Sequence, residues 1–531
     1  MSNNVYLRPD TLLEPLFNQW YAWPYLIPPM SAAMFIANAH VKIMQSFAAN
    51  PQVHVAALKN PGMLGGPFIN YEASRVEEIK QLVNQTTRQN AHMLEFAEAI
   101  KTLDEMLMTE ANGGPLEPLY QRVPDILKGY VELVYDLQNH PSIRFIEGML
   151  YNSKYYNPAS QSIVLSQVEN DGRPFVFSTP RLKSDGRLYL DVPFSHEGLD
   201  ELFKMEFVPQ PYDRIKKMLN VSETDDRQFA SFFTEEAPPA RTRYEGEGVR
   251  VRYFGHACLL IETKDVSIMC DPMISQKCES GIERFTYSDL PETIDYVVLT
   301  HTHQDHVMFE SLLRLRHKIK NLVVPKSGGG DRMDPSLKLI MQNAGFKNVM
   351  DLEEMESIRI PNGEILGLPF LGEHADLDVR TKLAYYVRLK GRSIIMAADS
   401  NNLEPRLYEH LHELLGNVDM LFVGMECDGA PMSWLYGPLL TKPLSRKNDQ
   451  ARRFDGSNAE KALKIVDLLK PSEVYIYAMG QEPWCTFLTS IQYTAESRPI
   501  VESNRLIEEC RNRGITSERL YGQKELHIAP H

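Results

Sequence analysis

The segment Tyr296-Val-Val-Leu-Thr300 followed directly by His301-Thr-His303-Gln-Asp305-His306 constrains this chain more than any other. A short apolar, β-branched run of this kind is a buried strand, and four metal-ligating side chains leave its end within six residues. Histidines two apart on extended backbone point the same way and can clasp one metal. Asp305 and His306, just past the turn, face a second position a few ångströms away. A metal pair there needs a bridging oxygen donor, and Asp399, which ends the apolar strand Ser393-Ile-Ile-Met-Ala-Ala, supplies one.

Around this loop the pattern is that of two sheets sandwiched between helices. Strands are expected at 249–253, 257–262, 266–271, 295–300, 322–325, 384–389, 393–398, 420–424 and 473–477, with helices at 309–318, 335–344, 405–415 and 458–469. The expected architecture is thus an αββα sandwich over 245–531, preceded by a separate α+β domain over 1–240. At 531 residues and 43% hydrophobic content the chain is too long for one core and rich enough for two. The first part reads as helices at Val76–Leu82, Met93–Met106 and Leu119–Leu137. It then turns to strands at Ser162–Ser166, Phe175–Thr179 and Gly186–Val192, joined by Asn170-Asp-Gly and Ser184-Asp-Gly turns. It carries no chemical motif and is expected to serve dimerisation or docking. Polar, proline-bearing Thr234–Arg243 reads as the linker.

The net charge of −14 argues against nucleic acid or an anionic membrane as partner. The apolar stretch from Trp20 to Phe47 is broken by Pro24, Pro28, Pro29, Asn38, His40 and Lys42, so neither an export signal nor a membrane anchor is expected. Six cysteines without CxxC spacing suit a reducing, cytoplasmic setting.

The order Gly255-His256, Asp271, His301-x-His303-x-Asp305-His306, Glu373 and Asp399 resembles the metallo-β-lactamase superfamily. That resemblance implies a buttressing role for Asp271, and His256 is taken as a structural histidine near the site. Two departures stand out. Hydrolases of the superfamily present a third histidine to the first metal, whereas this chain reads Leu371-Gly-Glu373-His374-Ala-Asp376. They also place a late histidine after a strand, where this chain reads Tyr475-Ile-Tyr-Ala478-Met479-Gly480. Glu373 is the preferred ligand, with His374 as the alternative that would keep a hydrolase-like site. A carboxylate there makes the site rich in hard oxygen donors, which suits iron better than a nitrogen-rich zinc pair.

This altered pattern, with the Leu7-Arg-Pro-Asp10 start, is similar over the whole chain to the CmlA-like di-iron β-hydroxylases of non-ribosomal peptide biosynthesis. The resemblance implies that His301, His303 and Glu373 hold one iron, Asp305 and His306 the other, and Asp399 bridges them. It also draws attention to Glu426, at the end of Met420–Gly424, as a labile ligand or a carboxyl just behind the ligands. It further implies two Fe ions, O2 as co-substrate, and an aminoacyl substrate tethered by phosphopantetheine to a carrier domain of a peptide synthetase, with a homodimer as the assembly. No flavin, NAD or iron–sulfur motif is visible, so electrons are expected from an external reductase. A basic run, Lys442, Arg446, Lys447, Arg452 and Arg453, is either a grip for the arm's phosphate or an acidic carrier helix, or an ordinary solvated loop. Trp434, Tyr436 and Trp484 line either a substrate channel or the core. The rival reading is a di-zinc or di-manganese hydrolase, and the amino acid hydroxylated, aromatic or aliphatic such as leucine, is left open.

Overall fold

The computed structural model describes residues 4–239 and 243–530. The expected linker therefore lies partly outside the described residues, at 240–242.

Two seven-stranded sheets form the C-terminal part. The first runs Val349–Leu352, Ile319–Pro325, Ile294–Val298, Ser267–Cys270, Cys258–Glu262, Val249–Gly255 and Lys524–Ile528. The second runs Ser357–Ile360, Gly363–Leu368, Ala384–Leu389, Arg392–Met396, Met420–Gly424, Glu473–Tyr477 and Thr516–Arg519. Each is half parallel and half antiparallel: Ser267–Cys270, Ile294–Val298 and Ile319–Pro325 are parallel neighbours in one, and Arg392–Met396, Met420–Gly424 and Glu473–Tyr477 in the other. Parallel strands must be buried on both faces, and their composition, as in Met-Leu-Phe-Val-Gly at 420–424, has no polar face to offer. The sheets close on a shared core that includes Val251, Ile261, Tyr385, Phe422 and Tyr477.

Helices cover the outside. Ala459–Leu469 starts at Asn458, whose side chain accepts the Lys461 N–H, and stops at left-handed Lys470. Its buried Ala459, Ala462, Ile465, Val466 and Leu469 fall on one stripe, which packs on the second sheet beside Arg406–Leu415 and Arg498–Asn512. On the first sheet, Phe309–Leu315 and Leu337–Asn343 are joined by the N-terminal part itself. Leu13, Phe194, Phe203, Leu260, Val297 and Leu312 belong to one continuous buried cluster, so the two parts share a core.

The N-terminal part has the expected helices at Val76–Gln89 and Ala91–Glu110 and the expected strands at Gln161–Gln167 and Leu188–Leu190. Two expectations fail. Leu119–Leu137 is not a helix: a 3-10 turn, Glu117–Arg122, precedes a hairpin of Val131–Tyr135 with Pro141–Phe145. Phe175–Thr179 joins no ladder: it turns at Phe177 and Ser178, and its Val176 N–H donates to the Phe487 carbonyl. Unexpected strands also appear at Asn4–Leu7 and Thr11–Phe17, the latter pairing along its length with Gln161–Gln167. Among the described residues no helix is long and apolar enough to cross a membrane.

Candidate metal centre

The carboxyl ends of parallel strands from both sheets meet in one crevice, the usual place for a site in such architectures. From the first sheet come Asp271, after Ser267–Cys270, and the loop 301–306, after Ile294–Val298. From the second come Asp399, Glu426 and the turn at 478–480. Register explains the first pairing: Cys270 lies opposite Val298, which puts Asp271 beside Thr300. Asp271 Oδ1 accepts from the Thr300 N–H at 2.8 Å, and its Oδ2 accepts from Thr300 Oγ1 at 2.6 Å and lies 2.8 Å from His306 Nδ1. This fully buried carboxylate thus braces the loop and orients one histidine, with His306 Nε2 left facing Asp399 Oδ2 at 2.9 Å.

Ligand atoms converge in three groups, each within 4.8 Å: His301, His303 and Glu373; His301, His306 and Asp399; and His256, Asp305 and His306. His303 Nδ1 is 2.8 Å from Glu373 Oε1, while His301 Nε2 is 4.0 Å from Glu373 Oε2 and 3.8 Å from Asp399 Oδ2. His374 enters none of the groups. It is buried, its Nδ1 lies 3.1 Å from Glu373 Oε2 without hydrogen-bond geometry, and neither ring nitrogen has a hydrogen-bond partner.

Whether these residues fit a metal pair is answered by what they leave unmet. His301 Nε2, Glu373 Oε2 and Asp399 Oδ1 are buried with no hydrogen-bond partner among the described residues. Each such orphan costs about 1–3 kcal/mol, and a convergence of them is tolerable where a cation supplies the missing contacts. The donor set, three imidazoles with the carboxylates Asp305, Glu373 and Asp399, mixes nitrogen with hard oxygen donors, as carboxylate-bridged iron pairs do.

The backbone around the crevice is strained in the same places. His256, Asp271, Glu373, Ala398 and Ala478 all have positive φ, between 39° and 69°, a conformation that costs a non-glycine residue of order 1–3 kcal/mol and concentrates at functional sites. Gly424 shows how tightly the strands close: a Cβ there would stand 2.5 Å from the Ala398 carbonyl and 2.7 Å from Asp399 Oδ1.

Electrostatics follow from burial. His301 is pushed well below the ordinary imidazole range, by desolvation first and by the neighbouring histidines second. Desolvation would do the same to His306, but Asp399, Asp305 and Asp271 outweigh it and raise its pKa well above normal. Burial raises Glu373 against the pull of His303. Glu426 joins no ligand group; Tyr493 Oη donates to its Oε2 at 2.8 Å, and burial pushes its pKa up to about 8.

Two contacts were hidden in the sequence. Tyr436 Oη lies 3.1 Å from His303 Nε2, the nitrogen that faces away from Glu373, and 3.4 Å from Tyr25 Oη of the N-terminal part. His256 is more than a packed histidine. Its Nδ1 accepts from the Gly480 N–H at 3.1 Å, and its Nε2 lies 3.3 Å from Asp305 Oδ2 without hydrogen-bond geometry. Gly480 belongs to the turn where a hydrolase would place its late histidine, so backbone stands where imidazole was expected to be missing. No sequence spacing signals either contact, since the partners lie more than a hundred residues apart.

The sequence profile of the di-iron non-haem β-hydroxylase N-terminal domain matches residues 6–238, and that of a β-lactamase superfamily domain matches 250–429. The chain is 37% identical to the 4-amino-L-phenylalanyl-[CmlP-peptidyl-carrier-protein] 3-hydroxylase of Streptomyces venezuelae, over 98% of this chain and 99% of that one. The crystal structure of CmlA, a di-iron β-hydroxylase from Streptomyces venezuelae, superposes with a TM-score of 0.93 at 36% identity, covering 99% of this chain and all of that one. A glutamate-to-aspartate variant of CmlA superposes with a TM-score of 0.90. With both domains matched and the likeness running end to end, this chain belongs to the di-iron non-haem β-hydroxylases.

Proposed function

We propose that this enzyme inserts one oxygen atom at the β-carbon of an amino acid held as a thioester on a carrier domain of a non-ribosomal peptide synthetase. In this reading His301, His303 and Glu373 hold one iron, Asp305 and His306 the other, and Asp399 lies between them. Two bound irons would supply the activation of O2, by which one oxygen atom goes to carbon and the other leaves as water, with two protons and with two electrons from a separate donor protein.

The chain's own residues do the rest. Asp271 fixes His306 with Nε2 toward the site, and Tyr436 does the same for His303 through the opposite nitrogen. His256 steadies Asp305. Glu426, whose carboxyl pKa is pushed up to about 8 by burial and to whose Oε2 Tyr493 donates, is the proton source in this reading. Burial of the ligands, with the Glu373 side chain 5% exposed and that of His301 fully buried, keeps bulk water out.

Glu373 supports oxidation over hydrolysis most directly, because a carboxylate rather than His374 shares the ligand group of His301 and His303. The same reading takes residues 1–240 as a dimerisation or docking domain and 245–531 as the catalytic domain, working in the cytoplasm. Intact-protein mass spectrometry of an aminoacyl-loaded carrier domain, incubated with the iron-loaded enzyme, reductant and O2, tests it. A gain of one oxygen atom is expected. Release of the amino acid without oxygen gain would identify a hydrolase instead.

A further inference from the structure

Residues 430–454, between strand Met420–Gly424 and helix Ala459–Leu469, form one excursion pinched at its neck. Pro431 and Arg453 form an antiparallel bridge, the Met432 N–H donates to the Arg452 carbonyl at 2.9 Å, and the Phe454 N–H to the Ala430 carbonyl at 3.1 Å. Its inner face walls the metal loop. Phe454 stands edge-on to His303 with ring centroids 5.4 Å apart, Tyr436 Oη meets His303 Nε2, and Arg452 Nε donates to the Ala375 carbonyl at 2.8 Å, two residues beyond Glu373. Asn38 Nδ2 donates to the Pro438 carbonyl at 2.8 Å, and Thr441 Oγ1 donates to Asp104, so the excursion is also tied to two N-terminal helices.

The outer face is different in kind. Lys442, Arg446 and Lys447, three cations within six residues, are all exposed, and among the described residues none has a carboxylate within ion-pair distance or a side-chain hydrogen bond, whereas Lys80, Lys128 and Lys264 each pair with a nearby acid. The acid nearest in sequence, Asp449, spends both carboxylate oxygens on Ser433, at 2.9 and 2.8 Å. Half-exposed Trp434 lies on the same excursion. In a chain of net charge −14, the general field repels an anionic partner, and a compact group of free cations is where one can land.

We propose that Lys442, Arg446 and Lys447 seat the phosphodiester of the carrier's phosphopantetheine arm, so that the excursion holds the arm's anionic end outside and the metal loop inside. This rests on the carrier-bound substrate proposed above. The three cations suit a phosphate at the end of a flexible arm, since the two lysines act as mobile point charges and the arginine fork can take two of its oxygens at once.

The test is binding, which needs no turnover. Iron-loaded enzyme is titrated with 4′-phosphopantetheine and with pantetheine, which lacks the phosphate. The wild type binds the phosphorylated form about tenfold or more tightly; the triple variant Lys442→Gln, Arg446→Gln, Lys447→Gln binds the two alike, with unchanged iron content. A charge-keeping variant, Lys442→Arg, Arg446→Lys, Lys447→Arg, retains the preference. Equal binding of the two compounds by the wild type, or a preference that survives in the glutamine variant, overturns the proposal. Failure of oxygen insertion with the binding preference intact would instead remove the carrier hydroxylation and leave the phosphate seat standing.

Discussion

Two clusters of buried charge lie at the two ends of the segment 301–310, and they are built on opposite rules. In the first, Glu14 is met by Arg181 at 2.9 and 3.1 Å, Arg173 at 3.2 Å and Arg187 at 3.3 Å. Arg173 also spans both oxygens of Glu310 at 2.9 and 3.0 Å, and Tyr21 Oη donates to Glu310 at 2.9 Å. Every carboxylate oxygen there has a partner. In the second, His301 Nε2, Glu373 Oε2 and Asp399 Oδ1 have none. The first cluster joins the N-terminal part to the helix after the metal loop and is complete without any ligand. The second is complete only with one. Buried charge alone therefore does not mark a site; buried charge left unmet, on strained backbone, does.

The contrast breaks most easily through stability. Glu14→Ala strands two or three guanidinium groups and should cost about 3–5 kcal/mol, read as a fall in urea midpoint at pH 7. Glu373→Ala in metal-free protein should cost less, about 1 kcal/mol, because it removes the contact of Oε1 with His303 Nδ1 but also an Oε2 that has no partner. Equal losses would erase the distinction. Acid sharpens the same comparison. Burial alone would raise the Glu14 carboxyl, but Arg181, Arg173 and Arg187 prevail and hold it well below the usual range. Its contribution is therefore complete above the ordinary carboxylate pKa of about 4.3 and is lost as pH falls toward its folded value. Urea midpoints of wild type should drop through that acid window, and those of Glu14→Gln should drop less.

Tyr436→Phe tests the second cluster from behind. With His303 Nε2 deprived of its partner, Fe(II) affinity should fall roughly tenfold, the lower end for such supporting contacts, while the urea midpoint of metal-free protein stays near wild type. Equilibrium Fe(II) titration reads both irons. The smallest effect is expected from His256→Asn, which removes the ring nitrogen facing Asp305. The second Fe(II) equivalent should weaken only a few-fold, about 1 kcal/mol or less, with the first unchanged.

The C-terminal half was legible because its signals are local. Parallel strands read as unbroken apolar runs, and the candidate ligands in 301–306 are contiguous. The N-terminal half was read less well. At Leu119–Leu137 a 98% exposed Leu137 in the hairpin turn mimics helical spacing, and Thr11–Phe17 is buried at every position, so alternation never shows. Glu373 could be weighed against His374 only by spacing. Their separation depends on the left-handed turn at Gly372 and Glu373, with φ of 73° and 69°, which points adjacent side chains to different places. Tyr25, Tyr436 and Gly480 reach the site through contacts that no short window contains.

The account stands or falls on Glu373 as an iron ligand, and Mössbauer spectroscopy of protein loaded anaerobically with iron-57 addresses that directly. Wild type should hold two irons per chain. Glu373→His should alter the spectrum of one iron and leave the other, whereas Glu426→Gln should leave both close to wild type. A spectrum indifferent to Glu373→His, or a chain that holds only one iron, would contradict it.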